Sequence, residues 1–213
     1  MYLPKHFEQT DAAALQALMR EHPLATLIVA GADGTTADLV PLEYLPGAGP
    51  PGSLGTLRGH VARANPLWKR AAGAEVLAVF TGPQAYITPS WYPTKAETHK
   101  VVPTWNYTVV QARGPLRAIE DAPWLHALVS GLTAHHEAPR AQPWAVADAP
   151  DDYVQVMLRA IVGIEIELTH LVGKWKVSQN RNEADRNGVA AGLSNSPSLS
   201  PNALAMSRLV APK

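Results

Sequence analysis

Two stretches of this 213-residue chain hold most of its candidate chemistry. LRGHVARANPLWKR (57–70) crowds Arg58, His60, Arg63, Lys69 and Arg70 into what reads as a strand, a short loop and a helix start. The first turn of a helix offers free N–H groups and the positive end of the dipole. With His60 and Arg63 beside it, the junction suits an anion such as a phosphate monoester. Solvated charges on a helix start would look the same, and residue types alone leave both readings open. KWKVSQNRNEADRNGV (174–189) is the second stretch: Lys174, Lys176 and Arg181 bracket Ser178, Gln179 and Asn180. Strand alternation puts Lys174, Lys176 and Ser178 on one face; a charged strand end is the plain alternative.

A third stretch, YITPSWYPTKAETHKVVPTWNY (86–107), sets Tyr86, Trp91, Tyr92, Trp105 and Tyr107 around a proline-broken loop. Such rings carry a large apolar face with a polar handle, which suits a flat aromatic ligand or a subunit interface. Prolines hold the loop in shape before binding and reduce the cost of ordering it. Packing into a core or a dimer seam would use the same residues. His99 is the one group in this loop that titrates near neutrality; it receives no catalytic role, and no acid–base pair is assigned.

Other signals exclude more than they suggest. Gly47, Gly49 and Gly52 in GAGPPG have dinucleotide-loop spacing, but Pro50 and Pro51 lack the N–H groups such a loop gives to phosphate. Asn106-Tyr107-Thr108 matches a glycosylation acceptor and, without a secretory leader, means nothing. His135-His136-Glu137 lacks the i, i+4 pairing of a helical metal site, so no metal is expected. With no cysteine, disulfides, thiolate zinc, iron–sulfur clusters and cysteine nucleophiles are excluded. Eighteen basic residues balance eighteen acidic ones. A neutral chain has no overall field to draw it to DNA or to an anionic membrane, so charge does not support direct DNA binding. MYLPKHFEQT has no apolar leader core, and LATLIVAG (24–31) is far short of a bilayer span. The expectation is a cytoplasmic protein without a membrane partner.

These residues must be positioned by β-structure. Thr10-Asp11 caps a helix through LQALMREH, which Pro23 stops. LATLIVAG and TADLVPLEYL form a hairpin across the ADG turn (32–34), with Pro41 marking an edge or bulged strand. SLGTLRGHVA is a strand ending near His60, followed by a short helix in ANPLWKRAAGA. EVLAVFTGP and QAYITPSW read as two strands joined at Gly82-Pro83. TWNYTVVQARGPLRAIED is a long strand, kinked at Gly114-Pro115. PWLHALVSGLTAHHE and DYVQVMLRA are helical, and IVGIEIELTHLVGKWKVSQ returns to strand with Ile164, Ile166 and Leu168 on one face. From Asn180 the chain turns polar, and SNSPSLSPNA reads as a tail or docking arm. About seven hairpin-joined strands with helices at three places point to a mainly β (α+β) fold, an antiparallel barrel with peripheral helices, and not a doubly wound sheet.

MYLPKHF, RGHVARANPLW, YITPSWYPTK, VPTWNY and KVSQNR occur in this order across residues 1–181. That set resembles the PaiB family, the FMN-binding "negative transcriptional regulator" group of the flavin-binding split-barrel superfamily, related to pyridoxamine-phosphate oxidases. The resemblance implies a split-barrel domain over 1–181, with 182–213 as a C-terminal helix or tail on the domain or the partner subunit. It implies a homodimer with FMN at the subunit interface. It places the phosphate at Gly59, His60, Ala62 and Arg63, and the flavin edge along Val40, Pro41 and Leu42. Trp91, Trp105 and Asn106 would line the ring from the second subunit, and Lys176, Ser178, Gln179 and Arg181 would close the site. Ala62-Arg63 offers one cation where the oxidase relatives carry an Arg-Lys pair. A PaiB-type transcriptional regulator is the first reading and an FMN-dependent oxidoreductase on a small molecule the alternative. Haem is a third, for which eight histidines single out no axial ligand.

Overall fold

The computed structural model describes residues 1–32, 34–48, 53–195 and 200–212. Asp33 of the expected ADG turn, Gly49–Gly52 of GAGPPG and 196–199 of the polar tail lie outside the described residues. The strands are β1 (Glu8–Gln9), β2 (Leu24–Gly31), β3 (Gly34–Pro41), β4 (Glu43–Leu45), β5 (Thr56–Ala62), β6 (Glu75–Ile87), β7 (Thr104–Ile119), β8 (Ile161–Glu167) and β9 (His170–Lys176). The helices are α1 (Ala12–Glu21), α2 (Leu67–Arg70), α3 (Thr94–Thr98), α4 (Ala122–Glu137), α5 (Asp151–Arg159), α6 (Glu183–Ser194) and α7 (Pro201–Val210). Two compact units result: a central one, His22–Phe80 with Gln111–Leu171, and a terminal one, Met1–Glu21 with Thr81–Val110 and Val172–Lys213. Strands β6 and β7 run on from one unit into the other.

In the central unit β2 pairs antiparallel with β3 on one side, from Leu24↔Pro41 to Gly31↔Gly34, and with β6 on the other. Strand β3 ends that row, an edge position where the missing N–H of Pro41 is tolerated. Strand β8 pairs antiparallel with β5 and β7, and β5 with β4. Alternation does the rest: Ala25, Leu27 and Val29 of β2 turn inward, as do Ile164 and Ile166 of β8. Leu42, Leu57, Phe80 and Leu116 of the same unit are buried as well. On another face of β8, Glu165 accepts from Arg58 of β5 at 2.9 Å and from Arg117 of β7 at 2.6 Å. Burial alone would raise the Glu165 carboxyl; the two arginines outweigh it and hold it below its ordinary value.

The terminal unit joins β1 to β9, with Glu8 opposite Lys174. The Asp11 carboxylate accepts from the Ala13 N–H at 2.9 Å and caps α1, which buries Leu15, Leu18 and Met19. Within 182–213, expected as a C-terminal helix or tail, α6 and α7 bury Val189, Leu193, Ala203, Met206 and Val210 against Ala85, Ile87 and Tyr92. One sequence reading is corrected here, the break at Gly82-Pro83: strand β6 does not break there. Gly82 serves close approach instead, because a Cβ there would lie 2.4 Å from Thr108 Oγ1 and 2.9 Å from a Leu18 methyl. Strand β7 likewise runs unbroken through Gly114-Pro115 in the central unit, where a Cβ on Gly114 would fall 1.8 Å from the Glu167 carbonyl oxygen. No helix among the described residues is long and apolar enough to cross a membrane.

Candidate functional site

The structure gathers part of the expected site within the central unit. A cleft of about 360 Å³ is lined by Asp38, Leu39 and Val40 of β3, His60, Val61 and Ala62 of β5, and Asn65 and Ile161. Gly59 lets the strands close up, since a Cβ there would meet the Pro41 carbonyl oxygen at 2.7 Å and a Leu42 methyl at 2.9 Å. Leu42 is fully buried in the core. The His60 Nδ1 is buried and has no hydrogen-bond partner. Burial pushes its imidazole below the ordinary value, so the ring is neutral at pH 7 and offers a hydrogen bond, not a charge. Asn65 donates to Asp38 at 2.8 Å and accepts from the Leu67 N–H at 2.9 Å, which ties the strand exit to α2.

Arg63 is spent elsewhere. Its Nε donates to the Arg159 carbonyl at 2.7 Å, its Nη2 to the Ile161 carbonyl at 3.1 Å, and its Nη1 pairs with Glu120. The guanidinium thus closes the C-terminal end of α5 and does not line the cleft.

The terminal unit gathers the other group. Asn106 of β7 is buried and donates to the Ser178 hydroxyl at 2.9 Å. Ser178 is left-handed (φ 62°) and ends the strand geometry that would have put it on the lysine face. Its carbonyl accepts from the Arg181 N–H at 2.9 Å. Gln179 folds back on the same turn, accepting from the Val177 N–H at 2.8 Å and donating to the Trp175 carbonyl at 2.5 Å. Arg181 lies 4.8 Å over the Tyr92 ring. Lys176 donates to the Trp105 carbonyl at 2.8 Å and to the Thr104 hydroxyl. Burial lowers its ammonium from the ordinary value, and the Lys174 charge adds to this.

The aromatic loop divides by role. Tyr92 is in the core. Trp91 is half-buried against α6. Tyr86 and Trp105 remain 48% and 54% exposed, edge to face at 6.0 Å, the two most open rings of the loop. Around the loop, Ser90, Trp91, Tyr92, Pro93, Lys95, Ala96 and His99 line a second cleft of about 430 Å³. Sequence reasoning left Lys174 out of the site. It is 8% exposed and donates to the Tyr2 carbonyl at 3.0 Å. Its ammonium sits 5.7 Å and 5.3 Å from the Tyr2 and Tyr107 rings. The alternation of KWK was its signal; its burial depends on the far end of the chain.

A model of the family described as "Putative FMN-binding domain" matches residues 1–170. The chain belongs to this PaiB-type FMN-binding family. Its similarity to the Bacillus subtilis protein named "Protease synthase and sporulation protein PAI 2" is 31% identity over 100% of this chain and 98% of that one. An uncharacterised protein of Emericella nidulans is 35% identical over 92% of this chain and 91% of its own. Among solved structures, the FAD and haem binding protein of Mycobacterium smegmatis has a TM-score of 0.54 at 14% identity, covering 79% of this chain and 73% of that one. The flavocytochrome Anf3 of Azotobacter vinelandii has a TM-score of 0.53 at 13% identity, covering 82% and 72%. These likenesses show the fold, an antiparallel flavin-type split barrel with peripheral helices. The cofactor of the PaiB-type domain is FMN. Taken unit by unit, the residues present fit it: a buried imidazole nitrogen without a partner in the central unit, and in the terminal unit exposed aromatic faces and two lysines outside the ion pairs found among the described residues.

Proposed function

We propose that the protein is a cytoplasmic, FMN-binding homodimer of the PaiB regulator type. In this reading Val40, Pro41, Leu42, Gly59, His60 and Ala62 of one subunit border the cofactor, with Arg63 holding the junction and not supplying its charge. Trp91, Trp105, Asn106, Lys176, Ser178, Gln179 and Arg181 of the other subunit complete the site. The observation that carries the reading is the His60 Nδ1, buried at a cleft and lacking any hydrogen-bond partner. A buried polar atom left unpaired is costly unless a ligand satisfies it. Bound FMN would supply a two-electron acceptor at N5. This chain's part is to seat it, wall it with rings and keep a neutral imidazole beside it. With a net charge of zero, regulation acts through a partner and not through direct DNA contact.

An absorbance spectrum of freshly purified protein, FMN titration and sedimentation test this together. Saturable FMN binding by a dimer is expected. A colourless monomer indifferent to FMN would refute the reading. A second reading, an FMN-dependent oxidoreductase, is favoured by the 430 Å³ cleft, where Lys95 and His99 give room and polarity for another small molecule. Turnover of NAD(P)H or pyridoxamine phosphate by the FMN-loaded protein would select it. Haem titration separates the third possibility, since a Soret band would mark it.

A further inference from the structure

Lys174 and Lys176 are two residues apart on β9 and therefore point to the same side of the strand. Lys174 is buried to 8% exposure and Lys176 is half-buried. A lysine is seldom buried unless a carboxylate pairs with it. Neither of these is in an ion pair: the four ion pairs among the described residues involve other side chains. Glu8 is opposite Lys174 across the β1–β9 pair, yet it is exposed and also in no ion pair. The partners the ammonium groups do have are carbonyls of Tyr2 and Trp105, the Thr104 hydroxyl and two aromatic faces. These orient a cation but leave its charge uncompensated. Like charges on the same side of one strand repel, and more strongly where water is scarce. A bound dianion would reverse the sign of that energy.

We infer that Lys174 and Lys176 form a seat for a phosphate-type dianion, with Tyr107 and the exposed Trp105 beside it to receive an attached ring. Where the anion is the phosphate of FMN, the inference rests on the FMN reading above. Where it belongs to another phosphorylated or dicarboxylate ligand, the seat stands beside that reading. An ammonium supplies phosphate with a point charge and rotatable donors, which a seat for more than one ligand requires.

The test is isothermal titration of the full chain with inorganic phosphate, at ionic strength fixed with chloride. Saturable binding is expected. Lys176→Gln should weaken it about tenfold or more, the loss of one charge-assisted contact, and Lys176→Arg should restore part of it. Lys174→Met should act in the same direction; where that chain fails to fold, Lys176→Gln decides alone. Absence of saturable binding, or equal affinity in parent and Lys176→Gln, overturns the proposal. Repeating the titration with protein saturated with FMN or with riboflavin identifies the source. Phosphate excluded by FMN but not by riboflavin assigns the seat to the cofactor's own tail. Phosphate that still binds the FMN-loaded chain assigns it to a second ligand. If FMN does not bind at all while phosphate binds through Lys176, the FMN reading falls and the seat remains.

Discussion

Gly192 and Gly131 make a matched pair of helix glycines with opposite expectations. Replacing glycine by alanine inside a helix gains about 1 kcal/mol by propensity. At Gly131 of α4 the added methyl would meet nothing within 4 Å, so Gly131→Ala should realise that gain. At Gly192 of α6 the same methyl would lie 2.3, 2.4 and 2.5 Å from three atoms of the Trp91 indole. Contacts that short cannot persist, and forcing a ring out of a packed site costs about 1–3 kcal/mol. The two variants should therefore differ by about 1–3 kcal/mol. For a chain of this size that is roughly 2–12 °C in melting temperature, with Gly192→Ala the lower. Trp91→Ala in the same chain removes the obstacle, and Gly192→Ala should then stabilise as Gly131→Ala does. Circular-dichroism melts of the five chains measure this. If Gly192→Ala raises the melting temperature as much as Gly131→Ala while Trp91 is present, the packing of Trp91 on α6 is wrong. Were Trp91 also to wall the flavin, Gly192→Ala would shift FMN affinity along with stability.

Three further outcomes follow from polar groups wholly or partly shielded from water. The Glu165 carboxyl is held below its ordinary value in the folded chain, so its stabilisation is present above the unfolded-state value and lost as pH falls through the folded one. Glu165→Gln should cost about 1 kcal/mol at pH 7, after allowance for solvent screening. It should also flatten the acid limb of a urea-midpoint profile below about pH 4.5; parallel limbs in parent and variant would count against the Arg58–Glu165–Arg117 bridge. Ser178→Ala keeps the left-handed backbone and leaves the Asn106 amide unpaired, which should cost about 1–3 kcal/mol. Ser178→Gly relieves the backbone and should cost less, an order that chemical denaturation can reverse or uphold. His60, its value lowered by burial, should titrate by NMR below the ordinary value of about 6.5. Stability tied to its neutral form is full above that value and is lost as pH falls; a midpoint at or above 6.5 would remove the burial argument.

Much of the fold was legible because burial alternates. LATLIVAG and IVGIEIEL announce their inward faces by residue type alone, and Ile164, Ile166 and Leu168 are buried as that pattern requires. What is less legible shares one cause. Gly82-Pro83 and Gly114-Pro115 look like punctuation in a local window, but each glycine answers to a neighbour distant in sequence: Thr108 for the first, Glu167 for the second. The polar stretch after Asn180 reads as helix or tail without clear bounds because the inner faces of α6 and α7 use few large residues. Val189 and Leu193, then Ala203, Met206 and Val210, are too sparse to stand out against Asn, Ser and Pro.

The partners of the candidate site residues are less legible in sequence than the fold, for the same physical reason carried further. Residue type tells what a side chain can do, and its partners decide what it does. Arg63 was the natural cation for a phosphate until its donors met Arg159, Ile161 and Glu120, which lie 57 to 98 residues away. Lys174 looked like an ordinary charged strand end until Tyr2, 172 residues distant, covered it. The positive charge expected at the strand-to-helix junction is neutralised there, while on β9 it stands without a carboxylate. If charge compensation governs where an anion settles, Arg63→Ala should loosen the end of α5 and leave phosphate affinity near that of the parent, whereas Lys176→Gln should do the reverse. Phosphate titrations and thermal melts of these two chains decide it: loss of phosphate affinity in Arg63→Ala alone would return the anion to the junction and show that the ion pair with Glu120 opens on binding.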